Sequence, residues 1–309
     1  MLTLEASESK IDRKSLKGIK NVSNIAIVTD SNSGITQKEA GEMGVYVLAM
    51  PFMIEDTIYY EEKNLTQDEF YKKMAEGAAV TTSQPTPDDV CGFWDKLLAK
   101  YDEIVYIPMS SGLSGSCQTA QLLAQDYDGR VMVVDNQRIS VTQRRSVQDA
   151  YFLAREKGMN AAQIKEFLEQ DKFHSSIYIM LDTLTYLKRG GRITPAAAAI
   201  GNILRLKPVL QIQGEKLDAF AKARTASQGK SMMIGAMKND IANRFGGSAD
   251  NVWLYVVHSH NEEGAEAFLS EVQKEFPDHP VELQRLSLSI GCHIGPGALA
   301  LACSQKISL

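Results

Sequence analysis

Short apolar runs and longer amphipathic stretches alternate along most of the chain. Residues 25–29, 104–109 and 131–134 are almost wholly apolar and end in polar turns, the pattern of strands buried on both faces. Between them lie helix signals. Thr36 with Glu39 and Thr66 with Glu69 form capping boxes, and Gly44 and Gly77 mark the stops. Thr86 precedes Pro87 at the head of a helix reaching about residue 100, with Asp88 and Asp89 in its first turn. Residues 45–53 read as one strand. Residues 81–84 read as an exposed, hydroxyl-rich extended strip, because Pro85 and Pro87 each hold the preceding residue out of helical angles. A long helix over 141–157 closes at Gly158, and Asn160 caps another to about 170. This alternation predicts an α/β fold with a mostly parallel sheet covered by helices on both faces.

The pattern changes near residue 173. A strand over 176–181 leads to a helical turn that ends at 188–192, and Thr194 caps a very apolar helix over 196–204. A hairpin follows at 209–213 and 217–221, then a helix over 227–245, a strand over 252–257, a helix over 262–276 and a strand over 281–288. Residues 290–299 read as a glycine-rich turn. These elements predict a second α/β or α+β unit with a mixed sheet. The expected organisation is an N-terminal extension (1–22), an N-terminal α/β domain (23–172) and a C-terminal domain (173–309).

Composition narrows the possibilities. The formal net charge of −5 argues against a nucleic-acid partner, which needs a basic excess. The four cysteines, Cys91, Cys117, Cys292 and Cys303, form no C-x-x-C pair, so neither a metal site nor a disulfide framework is expected. No apolar run approaches the ~20 residues of a membrane helix. The first twenty residues mix charges of both signs and have no h-region, so a cytoplasmic location is expected, with the extension loose or used for association.

The chemistry-bearing stretch is 110–116, with four serines and two glycines between an apolar strand and a helix. Backbone N–H groups and hydroxyls at a helix N-terminus suit a phosphate or carboxylate, although such a serine can equally be a plain cap. Residues 112–116 also approach the nucleophile-elbow pattern G-x-S-x-G, with Ser116 in place of the last glycine and His293 downstream. That allows a serine hydrolase, an esterase using Ser114 and His293, with Asp250 or Asp278 as third member. A small-anion or phosphorylated-sugar binder is a third reading. His174 and His279 sit among polar turn residues and read as surface, and His258 and His260 share a face at a strand end. His293, in its glycine-rich setting, can donate to an anion or orient a hydroxyl that does. Arg189 and Arg192 bracket a Gly-Gly where they can meet a helix C-terminus or an anionic group, and Arg224 can join them.

Several blocks together resemble the DegV family: 28–31 (Val-Thr-Asp-Ser), 82–85 (Thr-Ser-Gln-Pro), the serine loop 110–116, 185–193, 206–208, 222–225 and 293–298. The resemblance spans about residue 24 to the end. It implies a non-catalytic, lipid-binding carrier of two α/β domains. A long-chain fatty acid such as palmitate, stearate or oleate would be its ligand, with no other cofactor. The carboxylate would sit at the domain interface and the acyl tail in a tunnel of the C-terminal domain. Thr82, Ser114 and His293 match the positions that would hold the carboxylate, with Ser83 and Ser111 beside them. Arg192 and Arg224 match basic residues that would serve docking or phosphoryl transfer by a separate bacterial fatty acid kinase, which makes an acyl phosphate for phospholipid synthesis. The chain departs from the family pattern at 135–143, which is less rich in serine and glycine, and at Ile294, where a polar residue is usual.

Overall fold

The structure, a computed structural model, describes residues 24–195 and 206–308. The expected N-terminal extension and the helix over 196–204 lie outside the described residues. In chain order the strands are β1 (Ile25–Asp30), β2 (Tyr46–Leu48), β3 (Phe52–Ile54), β4 (Thr57–Tyr59), β5 (Val80–Thr82), β6 (Glu103–Ile107), β7 (Val131–Val133), β8 (Ser175–Met180), β9 (Lys207–Ile212), β10 (Asp218–Ala223), β11 (Val252–His258), β12 (Val281–Arg285) and β13 (Leu299–Gln305). The described helices are α1 (Gln37–Met43), α2 (Gln67–Ala75), α3 (Pro87–Leu98), α4 (Ser116–Leu123), α5 (Ser140–Arg155), α6 (Ala161–Gln170), α7 (Thr185–Gly190), α8 (Ala226–Asn243), α9 (Glu262–Glu275) and α10 (Leu288–Ile294).

A four-stranded parallel sheet runs β2-β1-β6-β7. Alternation along β1 sends Ile25 and Ile27 to one face, against Val147, Leu153 and Ile164 of α5 and α6. Ala26 and Val28 go to the other face, against Val90 and Trp94 of α3 and Cys117 of α4. Both faces are therefore covered, and the strands have no polar side. Local signals fix the helix starts. Thr36, Thr66, Thr86 and Asn160 each accept from the N3 backbone N–H and donate their own backbone N–H to the N3 side chain, which completes a capping box.

A six-stranded mixed sheet runs β10-β9-β8-β13-β11-β12, antiparallel except for β11 with β12. One face packs on α8 and α9 through Met233, Met237, Phe268 and Val272. The other carries Ile177, Ile179, Val257, Ala300 and Ala302 and faces inward, toward the start of α5 and toward α7 and α10. Helix α5 bridges the two layers: Val147 and Leu153 pack on the parallel sheet, while Val141 joins the core of the mixed sheet.

Several expectations are corrected. Residues 45–53 are not one strand. The chain turns at Met50-Pro51, where the Met50 N–H is taken by Ser31 Oγ at 3.0 Å and Pro51 has none to offer, so β2 and β3 belong to different sheets. The strip at 81–84 is extended, but its first part is strand β5, which pairs with β3 in a small antiparallel sheet β4-β3-β5. The strand expected over 281–288 ends at Arg285. Residues 288–294 form helix α10 rather than a turn, so His293 stands in a last helical turn. β13, central to the mixed sheet, was not anticipated: its alanines gave no strand signal. His279 is buried, 6% exposed, and not a surface residue.

Candidate functional site

The site forms where the turn after β1 and the serine loop after β6 leave the C-terminal ends of neighbouring strands. β1 sends its connection to β2 on one side and pairs with β6 on the other, which makes this the switch point of the parallel sheet. Asp30, wholly buried, ties the two loops. Its carboxylate accepts the N–H of Met109 at 2.8 Å and of Asn32 at 2.9 Å, and Gln143 Nε2 donates to it at 3.1 Å. Burial pushes its pKa up, and these three bonds oppose that shift. The serine loop is also docked on the β9–β10 turn. Ser110 Oγ donates to the Glu215 carbonyl at 2.7 Å, and a Cβ on Gly112 would stand 2.6 Å from that same oxygen. Only glycine lets the two backbones approach this closely.

A cavity of about 220 Å³ opens here. Thr82, Ser83, Ser114, Arg192 and His293 line its polar part. Thr82 is the last residue of β5, Ser114 lies just before α4, Arg192 follows α7, and His293 stands in the last turn of α10. Thr82 Oγ1 and His293 Nε2 are 2.8 Å apart. Burial and the Arg192 guanidinium hold the imidazole pKa down at about 4, so the ring is neutral at physiological pH. Gly190 lets this ring pack against α7: a Cβ there would stand 2.2 Å from Nδ1. Arg192 Nη1 donates to the Gly190 carbonyl, so the guanidinium caps the end of α7 while it faces the cavity. Ser114 Oγ accepts the Ser116 N–H at 3.2 Å. Gly115, the N-cap of α4, lines the cavity as well, so the positive end of that helix borders it.

Two of the residues singled out from sequence stand elsewhere. Ser111 belongs to the serine loop but not to the cavity wall; its backbone N–H donates to Asp135 Oδ1 at 3.3 Å. Arg224 is exposed beyond the far end of β10 from Leu217, a wall residue, which places about 20 Å of extended chain between them. Conversely, Asn32, Met109 and Ser289 line the cavity without having been singled out as site residues. Ser289 Oγ donates to Asn32 Oδ1 at 2.6 Å. The only sequence signal for Asn32 was its place in the polar turn after a buried strand.

Inward, the walls become aliphatic. Ile139, Leu217, Ile290 and Ile294 bound both this cavity and a second chamber of about 40 Å³. That chamber lies over β8, β13 and β11, with Ile177, Ile179, Val257, Ala300 and Ala302 as its floor. Ser140, at φ +56, is the one polar residue among the described residues of its wall. Among the described residues no group of His, Cys, Asp and Glu is arranged to hold a metal ion, and no helix is long and apolar enough to cross a membrane.

Fold and cavity together define a class: an α/β protein whose internal cavity is lined by hydroxyls, an imidazole and a guanidinium at one end and by aliphatic side chains at the other. The chain belongs to the DegV family, whose model, described as an uncharacterised protein family, matches residues 24–306. A DegV domain-containing protein of Listeria innocua is 30% identical over 285 residues, covering 91% of this chain and 99% of the relative. A DegV family protein from Thermus thermophilus, described by its fatty acid binding, superposes with a TM-score of 0.83 at 31% identity, over 92% of this chain and 100% of that one. DegV of Bacillus subtilis, described as a fatty acid binding protein, superposes with a TM-score of 0.81 at 27% identity, with the same coverage.

Proposed function

We propose that this protein binds a long-chain fatty acid, with its carboxylate at Thr82, Ser114 and His293 and its tail in the aliphatic chamber. The observation that carries this reading is the change of wall chemistry along one internal path, from Thr82, Ser114, Arg192 and His293 to Ile177, Ile179 and Ala300. A carboxylate gains from several short donor contacts, here hydroxyls and an imidazole N–H, beside a cation and a helix N-terminus. Each buried methylene adds roughly 0.8 kcal/mol, so a palmitate, stearate or oleate tail dominates affinity. The fatty acid binding of the Thermus thermophilus and Bacillus subtilis relatives supports the same reading. Ser83, on the cavity wall, stands beside the carboxylate site, whereas Ser111 is not part of it in this reading.

The protein is a cytoplasmic carrier and not an enzyme in this reading. It divides near residue 173 into an N-terminal domain that supplies Thr82 and Ser114 and a C-terminal domain that supplies Arg192, His293 and the chamber floor. The exposed headgroup is offered to a fatty acid kinase, with Arg192 beside the carboxylate and Arg224 on the surface the kinase meets. An esterase needs Ser114 bonded to its base, whereas the His293 contact in this cavity is with Thr82 Oγ1. Fluorophosphonate labelling of Ser114 would restore that alternative.

The deciding experiment is mass spectrometry of an extract of the purified, denatured protein. A stoichiometric long-chain acid is expected. Finding none, together with no uptake of added palmitate or oleate, removes the proposal. Gly190→Ala sharpens the test. Its methyl group must displace the His293 ring, and the loss of one charge-assisted hydrogen bond, about 1.5–3 kcal/mol, predicts a Kd raised about tenfold or more. Unchanged affinity in a folded Gly190→Ala protein would show that His293 does not touch the carboxylate.

A further inference from the structure

A larger groove, about 850 Å³, runs between the outer edge of β12 and the loops that begin α1 and α2. It shares no wall residue with the cavity around Thr82 and His293. Among the described residues β12 is the last strand of its sheet and pairs with β11 alone. The Leu286 N–H donates to the His258 carbonyl of β11 at 2.8 Å. Strand alternation therefore turns the N–H and C=O of Leu283 and Arg285 away from the sheet and into the groove. The Arg285 carbonyl lies against the opposite wall, 3.8 Å from where a Cβ on Gly34 would stand, so the edge is closed at that carbonyl and open at Leu283 and the Arg285 N–H.

The walls carry an excess of carboxylates. Glu39 is matched by Arg144 at 2.8 Å and Glu262 by Arg285 at 3.0 Å. Glu61 accepts the Leu288 N–H and Gln67 Nε2, each at 2.8 Å. Glu62, Asp68, Glu69 and Glu266 remain, and Lys63 is the only other lysine or arginine among the described wall residues. We propose that this groove docks a basic, extended segment of a partner protein, which adds to the free edge of β12 as a further strand. The outward N–H and C=O of Leu283 and the N–H of Arg285 supply the ladder, as an open edge can. The carboxylates select lysine- or arginine-bearing segments, and the same charge repels nucleic acid and anionic membrane surfaces.

The test is fluorescence anisotropy with a labelled heptapeptide of alternating lysine and valine, against its glutamate–valine counterpart and a form N-methylated at alternate residues. The basic peptide is expected to bind. Binding should weaken about tenfold in the Glu62→Lys, Glu266→Lys double variant and again in ~0.5 M salt, where the screening length falls below 5 Å. N-methylation should weaken it about tenfold too, because it removes the ladder donors. Equal binding of acidic and basic peptides, or no binding of either at millimolar concentration, overturns the proposal. So does full affinity of the N-methylated peptide. The extractable fatty acid of the double variant should match that of the parent, which keeps this result separate from the lipid reading.

Discussion

Exchanging Ala300 for leucine is expected to weaken binding of palmitate or stearate about a hundredfold while leaving octanoate within a few-fold. Ala300 lies on the central strand of the mixed sheet, opposite Ile179 of β8 and Val257 of β11. Its two neighbours are β-branched, so the small residue between them makes the floor of the chamber low. The chamber holds only about 40 Å³ beyond the polar cavity. Three added carbons fill that space and deny it to the end of the tail. Losing the burial of about four methylenes at roughly 0.8 kcal/mol each gives about 3 kcal/mol, or roughly two orders of magnitude. Overpacking costs stability as well, about 1–3 kcal/mol. An octanoate tail, eight carbons shorter than palmitate, is expected to end short of the new side chain. Isothermal titration across a chain-length series checks this. A uniform loss at every length would mean that the substitution disturbed the mouth. No loss at any length would mean that the tail does not lie over β13.

Asp30→Ala is expected to lower the unfolding free energy by about 4 kcal/mol. Three donors converge on this buried carboxylate: the backbone N–H groups of Met109 and Asn32 and the amide of Gln143. Removing the acceptor takes a partner from all three, at about 1–3 kcal/mol for each buried group left unpaired. Gln143 keeps other acceptors, Thr29 Oγ1 at 3.0 Å and the Ile107 carbonyl at 3.1 Å, so the loss falls mainly on the two backbone donors. Asp30→Asn retains the volume and one acceptor oxygen but turns its NH2 toward a donor, so it should cost about half as much. Urea midpoints, with unchanged slopes, measure both. A loss below about 1 kcal/mol in Asp30→Ala would show that the loops are held by other contacts. Because Asn32 and Met109 line the cavity, ligand affinity should fall with stability in this series.

The helix starts were legible because their chemistry is local. A capping box spans four positions, and Thr36, Thr66 and Thr86 announce themselves whatever the chain does elsewhere. The parallel sheet was legible for a similar reason, since a strand buried on both faces must be apolar throughout. What could not be read was decided at long range. The contact of Thr82 with His293 joins residues 211 apart, and no periodicity records it. The small antiparallel sheet was hidden by the turn at Pro51, because 45–53 is apolar on both sides of it. β13 was hidden by its own alanines: those that keep the chamber open carry no strand propensity. His293 was placed in a turn because Gly291, Gly295 and Gly297 surround it, yet α10 accommodates Gly291, where a Cβ would meet Tyr71 Oη at 2.7 Å.

The place of β13 bears on how the molecule is made. It is the last strand in chain order, yet it lies between β8 and β11, in the middle of the mixed sheet. A polypeptide emerging from a ribosome completes the parallel sheet long before residue 299 appears. Until then β8 and β11 have no common neighbour, and each presents an open apolar edge to solvent. The mixed sheet, and with it the floor of the chamber, closes in a single late step. Nascent chains held short of β13 are therefore the form of this protein most exposed to aggregation and most in need of a chaperone.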